Sequence, residues 1–90
     1  MKTAQEFREI AIKTMSTPDM VEASRLIETL IIDAINKGKN HISLNTGYAT
    51  YRDLCSLANG CVKLKTYLEL HGYTVSTSVF DGSSFFNVSF

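Results

Sequence analysis

The sequence carries no excess charge of either sign, no apolar run of membrane-spanning length, no metal-ligand spacing and almost no charge in its C-terminal stretch. Nine Lys and Arg balance nine Asp and Glu among 90 residues, a formal charge of zero. Neutrality argues against an acidic DNA mimic and against a strongly basic nucleic-acid binder, because neutralising phosphates takes clustered cations. It also leaves self-association unopposed by repulsion. The longest apolar stretch, LIETLIIDAI from Leu26 to Ile35, is interrupted by Glu28 and Asp33. It falls short of the ~20 residues a bilayer crossing requires, so no membrane anchor is expected. The start, MKTAQEFREIAIK, spreads its charges and has no small-residue cleavage site after an apolar region, so no secretory signal is read.

Cysteine occurs only at Cys55 and Cys61. Six residues apart in one expected helix, they fall on widely separated azimuths and read as two reduced, structural thiols in a cytoplasmic setting. Repeats, low-complexity tracts and linkers are missing, and the length leaves room for one small core, so residues 1–90 are read as a single domain. His41 and His71 are the only histidines. The first lies on the outward parity of a strand and the second at a helix C-terminus, where partial positive charge is favourable. No nucleophile–histidine–carboxylate signature is written locally, and the chain is read as a non-enzyme with no cofactor and no metal.

What is present is strong patterning. TAQE reads as a capping box, with Thr3 opening a first helix whose apolar stripe is Ala4, Phe7, Ile10 and Ala11. MSTPDM stops it, and Thr17 with Pro18 opens a second helix running to about Lys37, with Gly38 past its end. At 100° per residue, Met20, Ala23, Ile27, Leu30, Ile31 and Ala34 share one face of this helix, widened by Val21, Leu26, Ile32 and Ile35. So broad an apolar arc needs cover on more than one side. NHISL is a short strand with Ile42 and Leu44 inward. NTGYATYRD then leads into a third helix capped by Thr50. Leu54, Leu57, Ala58, Cys61, Leu64 and Leu68 hold one helical phase straight through Asn59-Gly60, as one continuous helix would, and Gly72 ends the run.

From Leu70 to Phe90 the only charged residue is Asp81. A hairpin turning at Asp81-Gly82 pairs Tyr73 with Phe90, Val75 with Val88 and Thr77 with Phe86 on one face. The opposite face carries Thr74, Ser76, Ser78, Asn87 and Ser89, with Phe80 and Phe85 left over near the turn. The aromatic strip is therefore expected to be mainly core. The expected fold is α+β in the order α-α-β-α-β-β, a three-stranded sheet with helices packed on its apolar face.

Two surfaces are candidates for function. In NTGYATYRD, the residues Thr46, Tyr48, Thr50 and Arg52 stand between a strand end and a helix start, where N–H groups and the helix dipole favour an anion such as a nucleotide. Phe80, Phe85 and Phe7 are the expected contact surface for a partner, and with the broad second helix they predict a homo-oligomer.

TYRDLCSLANGCVKLKTYLELHGYTV followed by a hairpin resembles a winged-helix domain, with YRDLCSLA as first helix, NG as turn, CVKLKTYLELHGY as recognition helix and DGSS as wing tip. That resemblance implies a DNA-binding regulator and a helix broken at Asn59-Gly60. Only Lys63 and Lys65 serve the recognition helix, and residues 73 to 90 contain no Lys or Arg. IETLIIDAINKGKNHISL and LKTYLELHGYTVSTSVFDGSSFFNVSF together resemble the layout of many small bacteriophage-encoded proteins: a helix ending near glycine, a short strand, a helix ending in GY, and a final strand near the C-terminus. This second resemblance implies a protein of the host cytoplasm that acts by stoichiometric binding, inhibiting a host or defence protein or sequestering a small anionic ligand.

Overall fold

A computed structural model describes Met1–Phe90. Two threonines set the helical start of the chain. The Thr3 hydroxyl accepts the Glu6 N–H at 3.2 Å and opens α1 (Ala4–Met15). The Thr17 hydroxyl accepts the Met20 N–H at 3.2 Å and opens α2 (Pro18–Asn36), with Pro18 in a first turn that needs no donor from it. At the far end Gly38 adopts φ +76°, and the N–H groups of Gly38 and Lys39 return to the carbonyls of Ile35 and Ala34. β1 (His41–Asn45) follows, then α3 (Ala49–Leu57), α4 (Cys61–Leu70), β2 (Thr74–Phe80) and β3 (Ser83–Ser89).

The fold is α+β, as the patterning indicates, with the third helical segment divided in two. The chain leaves α3 through Asn59 at φ +59° and Gly60 at φ +134°. The Asn59 and Gly60 N–H groups bond back to the carbonyls of Ser56 at 3.1 Å and Cys55 at 2.8 Å, a glycine-assisted helix stop. Of the two arrangements the sequence leaves open, continuous or broken at Asn59-Gly60, the structure has the broken one: the apolar phase spans the gap because both helices face one core, while the backbone itself turns.

The three strands are antiparallel in the order β1-β3-β2. Val88 stands between Ile42 and Val75, and Phe86 between Leu44 and Thr77. On the helical side α2 buries Met20, Ala23, Ile27, Ile31 and Ala34, while α3 and α4 bury Leu54, Cys55, Leu64, Tyr67 and Leu68. These meet Ile42, Val75, Phe86 and Val88 in one cluster. Burial of this apolar area is the main stabilising term.

Several expectations are revised. α1 buries none of its residues completely, and Phe7 and Ile10 stay exposed. It docks instead through Ile12 and Met15, with the Ser16 hydroxyl 3.1 Å from the Tyr67 hydroxyl. The hairpin ladder stops at Thr74–Ser89, so Tyr73 and Phe90 do not pair. Tyr73 donates its N–H to Leu68, and Phe90 donates its own to Asn40. Thr77 shares the inward parity of Phe86 but lies exposed, because the hairpin outruns the helices above it. No helix is long and apolar enough to cross a membrane.

Candidate functional site

The turn from β1 into α3 is held by its own backbone. The Asn45 side-chain oxygen accepts the Gly47 N–H at 2.9 Å and the Asn45 carbonyl accepts the Tyr48 N–H at 3.1 Å. Thr46 gives both its N–H and its hydroxyl to the Ser84 carbonyl. α3 then starts at Ala49, with Tyr48 in the capping position and no side chain accepting from the first turn. Thr50 is therefore not the cap: it lies one residue inside the helix and is exposed. The Arg52 guanidinium reaches back to the Gly47 carbonyl and ties the turn to the helix.

Of the four expected ligand residues, Tyr48 and Thr50 come together on an open cleft, whereas Thr46 and Arg52 are turned toward backbone carbonyls. The cleft has a volume of about 430 Å³. Its walls are Leu30 of α2, Leu44 of β1, Tyr48, Tyr51 and Phe85, with Ser43, Asn45 and Thr50 as polar rim. Leu30 and Thr50 continue it into a second depression of about 240 Å³ beside Leu26 and Asp53. Phe85, expected to be exposed at the hairpin tip, is half-buried here, while Phe80 remains 75% exposed. Tyr51 joins the site to the core, its ring centroid 5.2 Å from that of Phe86. The sequence pattern did not single out Tyr51, Leu30 and Leu44 as site residues; all three pack against the core only in part, and which apolar positions stay partly open shows only after the layers are stacked.

The turn at Asn59-Gly60 also reunites the cysteines. The thiols of Cys55 and Cys61 and the Tyr51 hydroxyl lie close enough to shift one another's ionisation, which corrects the expectation of separated azimuths. Burial pushes the Cys55 thiol up to about 11, with the hydrogen bond to Cys61 adding to the rise. Hydrogen bonds from Cys55 and then Tyr51 lower that of Cys61, the exposed first residue of α4. Burial, and secondarily both cysteines, raises the Tyr51 phenol. No third His, Cys, Asp or Glu joins the pair.

On α4 the exposed residues are Cys61, Val62, Lys63, Lys65, Thr66 and Glu69, so its outer face carries two cations and one anion. The β2–β3 hairpin beside it contains no Lys or Arg. The chain matches no protein-family model, no curated protein and no solved structure.

Proposed function

We propose that this chain is a non-enzymatic binding protein of the small phage-encoded kind, acting stoichiometrically on a host or defence protein through the aromatic cleft beside α3. One observation carries the reading. Tyr48, Tyr51, Phe85 and two leucines line the cleft, while the adjacent cation, Arg52, is bonded to the Gly47 carbonyl of its own loop. Aromatic anchors in an apolar depression with a polar rim suit a protruding side chain of another protein. An anion entering the same place would find Asp53 nearby and no free cation in the lining. Native mass spectrometry of the protein isolated from its host cells tests this. A polypeptide retained at fixed stoichiometry and lost in Tyr48→Ala is the expected result. A small anion retained by the wild type and lost in Arg52→Ala would replace it with the ligand-sequestering alternative.

A second reading, a winged-helix-like DNA-binding regulator, draws support from the break at Asn59-Gly60, which separates two helices ahead of a hairpin. Its weakness is charge. With Lys63 and Lys65 as the only cations of α4, binding to duplex DNA would have a log–log salt slope of about −2 at most. A salt titration giving a slope of about −5 or steeper would establish that DNA, rather than a protein, is the target.

A further inference from the structure

Two sheet edges face solvent, and only one of them is guarded. β1 is five residues long and is bordered by Lys37 and Lys39. β2 runs for seven residues, TVSTSVF, with no charge, no proline and no interruption in its register against β3. From Ser76 to Phe80 every residue is exposed, and Val79 and Phe80 are 74% and 75% exposed. Charges, prolines and bulges are the devices by which proteins keep an edge from pairing, and β2 has none of them.

The orientation of its unpaired backbone groups follows from the ladder. At either end of the β1–β3 pair, Thr46 donates to Ser84 and Phe90 donates to Asn40, so the even-numbered residues of β3 bond toward β1. Antiparallel strands alternate the side to which each residue turns both N–H and C=O. The odd-numbered residues of β3 therefore bond toward β2, where their partners are Thr74, Ser76, Ser78 and Phe80. Val75, Thr77 and Val79 are left presenting both backbone groups to the open edge.

We infer that β2 pairs with β2 of a second copy of this chain, antiparallel and centred on Thr77, to make one continuous sheet across a two-fold axis. Full overlap of the seven residues sets this register. Thr77 meets its own copy, and Val75 meets Val79 of the second copy, each pair exchanging both backbone bonds through groups that the monomer leaves free. Val79 then lies on the inner face beside the partner's buried Val75, and Phe80 lies over Thr74 of the outer face. A patch that meets itself across an axis forms a closed dimer. Neither strand carries a charge to oppose the approach. This pairing is independent of the cleft reading, whose walls include no residue of β2.

Sedimentation velocity over a micromolar dilution series, with amide exchange followed by NMR, decides the matter. The expected result is a species of twice the 10.0 kDa chain mass. In that species the Val75, Thr77 and Val79 amides should exchange slowly. Thr77→Lys sets two ammonium groups face to face at the axis and should return a folded monomer whose three amides exchange freely, whereas Ile32→Lys on the outer face of α2 should leave the dimer intact. A wild type monomeric throughout would overturn the inference. So would a dimer that survives Thr77→Lys, a dimer whose β2 amides remain unprotected, or an edge that takes an extended peptide of another protein while the chain stays monomeric. Were Thr77→Lys to misfold, wild-type amide protection alone would decide.

Discussion

Substituting Gly60 with alanine distinguishes a broken helix from a continuous one by the sign of the effect. Gly60 sits at φ +134° and ψ 144°, a region open in practice to glycine alone, and a Cβ built there meets nothing within 4 Å. The cost of Gly60→Ala is therefore purely that of holding an L residue in that conformation, about 1–3 kcal/mol. In a domain of this size each kcal/mol corresponds to roughly 4–8 °C in Tm. Were α3 and α4 one helix, the same change would stabilise by about 1 kcal/mol, since alanine is the better helix former. Thermal unfolding by circular dichroism, with urea unfolding to check that the m-value is unchanged, reads the difference directly. Asn59, at φ +59°, supplies a companion test. Asn59→Gly should be neutral or slightly stabilising, while Asn59→Ala should cost about 1 kcal/mol. A rise in Tm for Gly60→Ala would refute the turn, and with it the meeting of Cys55 and Cys61.

Three further outcomes are expected. Thr17→Ala removes a cap bond and should cost about 1 kcal/mol in urea unfolding, whereas the exposed Thr50→Ala should stay within about 0.5 kcal/mol. At neutral pH a thiol-alkylating reagent should modify Cys61 well before Cys55, because Cys61 is exposed and its thiolate is favoured, as mass mapping after brief labelling would show. Cys55 is raised in the fold from its ordinary 9.0 to about 11, so its contribution is fully present below pH 9 and is lost as pH rises through 11, where the unfolded chain has already ionised. Cys55→Ser should flatten the decline of Tm across that window. Deleting Phe90, 43% exposed and outside the hairpin ladder, should cost less than about 1 kcal/mol, below the 1–3 kcal/mol of a fully buried aromatic.

Much of this architecture is local and was legible in the residues. Thr3, Thr17 with Pro18, and Gly38 write helix starts and stops within four positions of themselves, and Asp81-Gly82 writes a hairpin whose register follows from the turn. The inward set Ile42, Val75, Phe86 and Val88 follows from the two-residue period of a strand. Periodicity, however, reports only which face of a segment is apolar. Leu54 to Leu68 kept phase across Asn59-Gly60 because two helices can face one core as readily as one helix does, and only a left-handed residue followed by a glycine-only conformation places the bend. The same limit applies to the site. Tyr48 and Thr50 were visible as a polar and aromatic loop, but the count of layers decided that Leu30, Leu44 and Phe85 would meet them, that Arg52 would turn to Gly47, and that the hairpin would outrun its helices and leave β2 bare. Short-range hydrogen bonding and hydrophobic period act along the chain and so can be read from it; contacts between flanks, and the edges left uncovered, depend on how far one element extends past another and exist only once the chain is folded.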